Sequence, residues 1–242
     1  MGIFYCRPVC LPGRHGARNF RTLVVALALA LAFAVAGAVH GTAAETTGVL
    51  SMESVPLFGA VETKVKKSTS FRSWETLLKR YAKQEGRLLK GRGRINEKLG
   101  SKLWNELIDS LRGLDRATQI EKINSYFNSL TYQSDSKNYD VEDYWATPYQ
   151  FLSRAKGDCE DFAAAKYLAL RALGFESSQL RLVVGYDRAR GAAHTVTLAV
   201  VDGQVLMLDI GDNAIVEMAE VSGFDPFYSV TESDGWLHMK RA

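Results

Sequence analysis

Three residue types that can form a nucleophilic triad stand far apart in the sequence, at Cys159, His194 and Asp209. The cysteine lies in "RAKGDCEDFAAAKYLALRALG", a pattern that predicts a helix beginning at this point. A thiol in the first turn of a helix faces free backbone N–H groups and the positive end of the helix dipole. Both stabilise a thiolate, which favours a nucleophilic role for Cys159. The alternative roles are a buried inert thiol and a metal ligand.

A predicted hairpin relates the histidine to the aspartate. The dipeptide Asp-Gly at 202–203 separates two alternating apolar runs, which favours a two-residue turn that pairs Val201 with Gln204. In this register His194 and Asp209 are diagonal neighbours on one face, with Cα atoms roughly 7 to 8 Å apart. A carboxylate at that distance can hold an imidazole and favour its charged form. A bulge would break the register and leave both side chains solvated.

Acidic residues crowd the cysteine, because Asp158 precedes it and Glu160 and Asp161 follow it. Their negative charges disfavour a thiolate and would raise the pKa of the thiol. A nucleophilic Cys159 therefore needs a compensating positive charge, from a protonated histidine or a bound hard cation. Calcium binds carboxylate oxygens, and "NYDVEDYW" at 138–145 offers more of them, but the spacing does not match an EF-hand loop. The alternative is that Asp158 caps the helix and the other two acids favour its N-terminus.

The first 44 residues differ from the rest of the chain in charge and hydropathy. They hold four arginines and no acidic residue, and an apolar run at 22–39 precedes "TAA" at 42–44. This order predicts a signal peptide over 1–44. The alternative is an uncleaved membrane anchor, because the length of the apolar run is near the roughly 18 to 20 residues that span a bilayer. Without the four arginines, 26 of the 30 basic residues remain against 27 acidic ones, which gives no electrostatic reason to expect nucleic-acid binding.

Export leaves few cysteine and histidine residues in the mature chain. Cys159 is then the only cysteine, and His194 and His238 are the only histidines. This scarcity excludes a cysteine-rich or histidine-rich transition-metal site in the mature monomer. His238 has no carboxylate at an informative spacing, so we interpret it as a surface or edge-strand residue.

Helical periodicity precedes β-strand alternation along the chain. Helices are predicted at 71–91, 94–112, 115–130, 148–155 and 158–173. A long polar surface connection is expected at 131–147. Strands are predicted at 180–186, 194–201 and 204–210, with weaker ones at 214–218 and 226–230. The order predicts one α+β domain over 71–242, with N-terminal helices packed on an antiparallel β-sheet, preceded by an extended arm or linker at 45–70.

Several segments resemble the bacterial transglutaminase-like cysteine proteinases, and together they extend over about residues 70–237. The most specific are "WATP" at 145–148 and "GDCEDF" at 157–162. The segments "AHTVTL" at 193–198 and "VLMLDI" at 205–210 carry the histidine and the aspartate. Members of the family often have "HMVL"-like residues after the histidine and "VLDN" around the aspartate. Neither difference touches a triad position.

The resemblance implies a transglutaminase/papain-like cysteine peptidase core with a catalytic triad of Cys159, His194 and Asp209. It also implies calcium dependence, with Asp158 and Glu160 as ligands. Asp161 is a further candidate ligand.

The resemblance also implies a biological setting. Members of the family are periplasmic endopeptidases that cut a large surface adhesin near its N-terminus and release it. An inner-membrane receptor for cyclic di-GMP sequesters them when adhesion is favoured. Two other interpretations of the residues stay open: an acyl transferase that passes the acyl group to an amine, and a non-catalytic binding module with the same fold.

Overall fold

The computed structural model describes residues 51–66, 69–211 and 213–239. The predicted signal peptide at 1–44 lies outside the described residues and stays a prediction. In the described part the main helices come before most of the β-strands, which is the predicted α+β order. None of the described helices combines the length and the apolarity that crossing a bilayer requires.

Six α-helices are described: α1 (Arg72–Leu89), α2 (Ile95–Leu111), α3 (Arg116–Asn128), α4 (Asp135–Asn138), α5 (Pro148–Arg154) and α6 (Cys159–Ala172). Side chains cap two of these helices: Asp115 accepts from the N–H of Thr118 at the start of α3, and Thr147 accepts from that of Gln150 at the start of α5. The start of α6 does not bear out the alternative role of Asp158 as a side-chain cap. Asp158 occupies the cap position there, but its side chain makes no capping hydrogen bond.

The described strands are β1 (Val61–Val65), β2 (Thr131–Tyr132), β3 (Lys156–Gly157), β4 (Leu180–Asp187), β5 (Ala192–Val201), β6 (Gln204–Leu208), β7 (Val216–Glu217), β8 (Phe224–Val230) and β9 (Gly235–Met239). Seven of them form one antiparallel sheet in the order β1-β9-β8-β4-β5-β6-β7, and β2 pairs with β3 in parallel. The inner strand β5 lies between β4 and β6 and is buried along almost its whole length, which accounts for its largely apolar sequence.

Apolar residues cover both faces of the sheet. On one face, helix α6 is buried through most of its length and packs against β4 and β5, where the Thr197 hydroxyl donates to the Ala163 carbonyl at 2.7 Å. On the other face, Val196 belongs to a second apolar cluster that includes Met52 and Leu57. The sheet is therefore the middle layer, and its packing with α6 fixes where that helix begins relative to β4 and β5.

The hairpin between β5 and β6 has the predicted register. Val201 pairs with Gln204, and the turn residues Asp202 and Gly203 have φ angles of 48° and 79°. Positive φ at both central residues is typical of a type I′ turn, which Asp-Gly favours. The pairing continues to Leu208, so β6 ends one residue before Asp209.

The described part of the predicted arm, residues 51–66, packs onto the sheet. Met52 and Leu57 are fully buried, and β1 pairs with β9, so that Val61 lies opposite Met239. These apolar residues follow neither helical nor strand periodicity over most of the segment. The pattern therefore gave no indication that it would be covered.

Two predictions are wrong in the structure. The expected surface connection at 131–147 contains β2 and α4, and it buries Asp135 and Asn138. His238 is neither exposed nor on an edge strand, because β9 lies between β1 and β8. Its Nε2 lies 2.8 Å from Ser229 Oγ, a partner on β8 that spacing along the chain does not reveal.

Candidate active site

Cys159 is the first residue of α6, and its side chain is buried. The thiol donates to Glu160 Oε2 at 3.2 Å and lies 4.0 Å from Thr195 Oγ1 on β5. Thr195 directly follows His194 in the chain. Packing of α6 on β5 therefore places the thiol beside the strand segment that carries the predicted base.

His194 and Asp209 meet as the hairpin register predicts. His194 is buried on β5, and its Nε2 lies 2.5 Å from Asp209 Oδ1, just beyond the end of β6. This contact leaves Nδ1 as the ring nitrogen through which the imidazole can exchange a proton with a thiol. The structure thus brings together the predicted base and the carboxylate predicted to orient it.

Both carboxylate oxygens of Asp209 have partners. Oδ1 also accepts the N–H of Ile210 at 2.6 Å, and Oδ2 forms an ion pair with Arg190 at 3.0 Å. Burial alone would raise the pKa of Asp209, but His194 and Arg190 outweigh it and lower the pKa to about 2. The carboxylate therefore stays ionised at neutral pH and can stabilise an imidazolium.

The acids around the thiol belong to two overlapping carboxylate groups that share Asp135. The inner carboxylate group is Asp135, Asp158 and Asp161, and the outer one is Asp135, Asp143 and Glu160. Within each group, one oxygen from each residue lies within 4.8 Å of the others. Asp158 Oδ2 also accepts the backbone N–H of Asp135 at 3.3 Å, which ties α4 to the start of α6.

The inner carboxylate group fits a hard cation. Asp135 Oδ1 and Asp161 Oδ2 are buried and have no hydrogen-bond partner. Burial raises the pKa of Asp135 to about 6, and burial together with Asp158 raises the pKa of Asp161 well above its ordinary value. A bound cation would offset the repulsion between the carboxylates and would give the two oxygens a partner. Because calcium prefers oxygen ligands, these residues suit a calcium ion.

Sequence reasoning missed Asp135, the residue that the two carboxylate groups share. It stands in the polar stretch "SDSKN", where nothing distinguishes it from the acids of an exposed loop. Of the acids that residues 138–145 offer as ligands, Asp143 takes part in a carboxylate group. Asp140 and Glu142 belong to neither of the two groups found among the described residues.

Two cations around Asp209 were also missed. Lys166 is fully buried in α6 and donates to the backbone carbonyl of Asp209, and Arg190 pairs with its carboxylate. A lysine inside the run "FAAAKYLAL" was a usable signal, since a charge in a buried helix needs partners. Arg190 had no comparable signal, because the turn "DRAR" contains two arginines and spacing alone does not say which one turns inward.

The arrangement can perform acyl-group chemistry. It combines a thiol and the backbone N–H groups of the first turn of α6 with an imidazole that a carboxylate holds. Such N–H groups can stabilise the oxyanion of a tetrahedral intermediate, and such an imidazole can accept and return a proton.

Comparisons with known proteins agree with this chemistry. A family model, described as bacterial transglutaminase-like cysteine proteinase, matches residues 108–239, a span that contains the thiol, the imidazole and both carboxylate groups. EGTA-treated Legionella pneumophila LapG is 32% identical over 61% of this chain and 86% of that chain, with a TM-score of 0.53. Calcium-bound Legionella pneumophila LapG is 31% identical over 68% of this chain and 87% of that chain, also with a TM-score of 0.53. No curated protein matches the chain.

Proposed function

The chain belongs to the bacterial transglutaminase-like cysteine proteinase family, and we propose that it is an exported, calcium-dependent cysteine endopeptidase with Cys159, His194 and Asp209 as its triad. The contact of 2.5 Å between His194 Nε2 and Asp209 Oδ1 carries this proposal. An imidazole fixed by a carboxylate, beside a thiol at a helix start, is the arrangement of a nucleophile and its base.

In the proposed reaction Cys159 Sγ gives its proton to His194 Nδ1 and attacks the scissile carbonyl carbon. The backbone N–H of Cys159 donates to the oxyanion that forms. The C–N bond then breaks while His194 returns the proton to the leaving amine, and a thioester remains on Cys159. Water adds to the thioester with His194 as the base, which releases the acid and restores the thiol. Asp209 orients the imidazole and stabilises its charged form.

Calcium would be held by the inner carboxylate group together with Glu160. When bound, it supplies positive charge that offsets the carboxylates crowding the thiol. Glu160 accepts the hydrogen bond of the thiol at 3.2 Å, a contact that favours the protonated sulfur. The same carboxylate, shared with a cation, is a weaker acceptor and favours the thiol less. Calcium-bound and EGTA-treated structures exist for the related LapG, which supports calcium as the ion.

The proposed substrate is a large cell-surface adhesin, cut in the periplasm near its N-terminus at a site of small residues. Its release from the cell would promote biofilm dispersal. We further propose that an inner-membrane receptor for cyclic di-GMP sequesters the protease when adhesion is favoured. The support for this setting is the family membership together with the signal-like sequence at 1–44.

The test is incubation of the purified protein with an N-terminal adhesin fragment, with and without a chelator, in the presence of a labelled primary amine. We expect two fragments, cut at one site, only when calcium is present, and none with Cys159→Ala. Amine incorporation without cleavage would identify an acyl transferase instead. Failure of a thiol-directed inhibitor to label Cys159 at neutral pH would indicate a non-catalytic binding module.

A further inference from the structure

We infer that Arg190 is a positioning residue for the triad: it holds the Asp209 carboxylate in the orientation that serves His194. The inference rests on the proposed function, because an oriented acid matters only if the imidazole moves a proton. Arg190 lies in the turn between β4 and β5, four residues before the histidine. It touches neither the thiol nor His194 in any described contact, so it would act through Asp209.

The guanidinium of Arg190 contacts both the acid and the chain that follows it. One nitrogen lies 3.0 Å from Asp209 Oδ2 and donates to the Ile210 carbonyl at 3.3 Å. His194 and the Ile210 N–H occupy the other oxygen of the carboxylate. Rotation of the Asp209 side chain would therefore break contacts at both oxygens. Arg190 supplies the contact at Oδ2, which His194 does not hold.

The turn is built to point Arg190 inward. Asp187, the last residue of β4, accepts the N–H groups of Ala189 and Arg190 at 2.8 and 3.1 Å, and its other oxygen pairs with the guanidinium. The side chains of Arg190 and Asp187 are only 13% and 14% exposed. A surface ion pair would leave the arginine mobile, whereas this one is fixed by its own turn.

The charges around Asp209 support the same role. Arg190 lies between the carboxylates of Asp187 and Asp209, so the three groups together leave one negative charge. An imidazolium at His194 balances that charge. The remaining cation nearby, Lys166 of α6, contacts the backbone carbonyl of Asp209 and not its carboxylate. Arg190 is thus the described cation that fixes the carboxylate itself.

The neighbouring Arg188 provides a matched control. It lies in the same turn and forms an equally regular pair, with two contacts of 2.7 Å to Asp225. This pair is exposed, and none of its described contacts reaches the triad. Arg188→Met therefore removes an arginine and an ion pair from the same turn without releasing Asp209.

The experiment observes the hydrogen bond directly, by proton NMR of the full-length protein. A proton held between an imidazole and a carboxylate at short distance resonates far downfield, and Asp209→Asn should remove that signal and so assign it. We expect Arg190→Met to shift the signal upfield or to broaden it beyond detection. Arg190→Lys should restore part of it, and Arg188→Met should leave it unchanged. In the same samples, alkylation of Cys159 by iodoacetamide should slow about tenfold in Arg190→Met.

An unchanged downfield signal with an unchanged alkylation rate in folded Arg190→Met would overturn the inference. If that variant does not fold, Asp187→Asn provides the second measurement, since it loosens the turn and keeps Arg190. A smaller shift in the same direction supports the role, and no shift overturns it. The NMR signal requires no substrate. A shifted signal with slowed alkylation, in a protein that cleaves no adhesin, would therefore reject the proposed substrate and retain the positioning role.

Discussion

Lys166 Nζ donates to the backbone carbonyl of Asp209 at 2.7 Å. Its other described partners are the Oδ1 atoms of Asn124 and Asn128 on α3, also at 2.7 Å each. Lys166 lies about two helical turns along α6 from Cys159. The helix that begins at Cys159 therefore also holds the chain segment that carries Asp209, through one buried cation.

We predict that Lys166→Met destabilises the protein by about 3 kcal/mol, because a buried charge with three acceptors is lost and the acceptors stay buried. Burial lowers the pKa of Lys166 to about 7. Its three acceptors at 2.7 Å nevertheless match the three N–H groups of an ammonium ion, so the contacts favour the charged form. Urea unfolding measures the change in the free energy of unfolding.

The control for this prediction is Lys102→Met. Lys102 forms an exposed ion pair with Glu106 at 3.8 Å, so its loss should change stability by less than about 0.5 kcal/mol. If the two variants lose equal stability, the three buried contacts of Lys166 are not what stabilises this region.

The ionised state of Asp209 predicts a pH dependence. Its pKa is lowered from 3.8 to about 2 in the folded protein, so the stabilising contribution is fully present above 3.8 and disappears as the pH falls towards 2. At neutral pH, Asp209→Asn should lower the free energy of unfolding by roughly 2 kcal/mol, and this difference from the wild type should shrink as the solution is acidified. Urea unfolding across an acidic pH series measures it.

Asp202→Asn is the control for that series. Asp202 is exposed at the tip of the same β5–β6 hairpin, and asparagine tolerates its positive φ. Its difference from the wild type should stay near zero at each pH. A constant loss for Asp209→Asn across the series would mean that its effect is steric and not electrostatic.

Much of the geometry of the proposed triad was predictable because it depends on local rules. The Asp-Gly turn sets the register of β5 and β6, and the register sets the distance between His194 and Asp209. The start of α6 at Cys159 follows from helix periodicity and from the acids around it. Each of these relations spans fewer than about 20 residues or one hairpin, where pattern rules apply.

The rest depends on contacts between distant segments. Asp135 reaches Asp158 across 23 residues, and the buried partner of His238 lies on a different strand. Met52 and Leu57 are buried in one apolar cluster with residues of the sheet such as Val196. No periodicity marks such residues, so their burial becomes visible only after the strands have been ordered.

The carboxylate groups predict a calcium effect on stability. Because Asp135 belongs to both, Asp135→Asn should remove most of the rise in melting temperature that calcium gives to the wild-type protein. Differential scanning calorimetry with and without calcium measures this rise without a substrate. Glu142→Gln is the control, since Glu142 is exposed on the same segment and belongs to neither carboxylate group. Equal calcium shifts in the two variants would place the ion elsewhere.

Gly157 predicts a packing effect beside the same carboxylates. A Cβ at this position would collide with the side chain of Asp161, which is fully buried and whose Oδ1 accepts the N–H of Ala146 at 2.6 Å. Gly157→Ala should therefore destabilise the protein by about 1 to 3 kcal/mol and weaken calcium binding, because Asp161 must move. Thermal unfolding and calcium titration calorimetry measure the two effects.

Gly86→Ala is the matched substitution for Gly157→Ala. Gly86 is exposed on α1 with no neighbouring atom within 4 Å of its added Cβ, so alanine there should stabilise the helix by up to about 1 kcal/mol. The two alanines should thus change stability in opposite directions, and only Gly157→Ala should alter calcium affinity. Wild-type calcium affinity in Gly157→Ala would show that Asp161 is not a ligand, and would limit the site to carboxylates that the substitution does not displace.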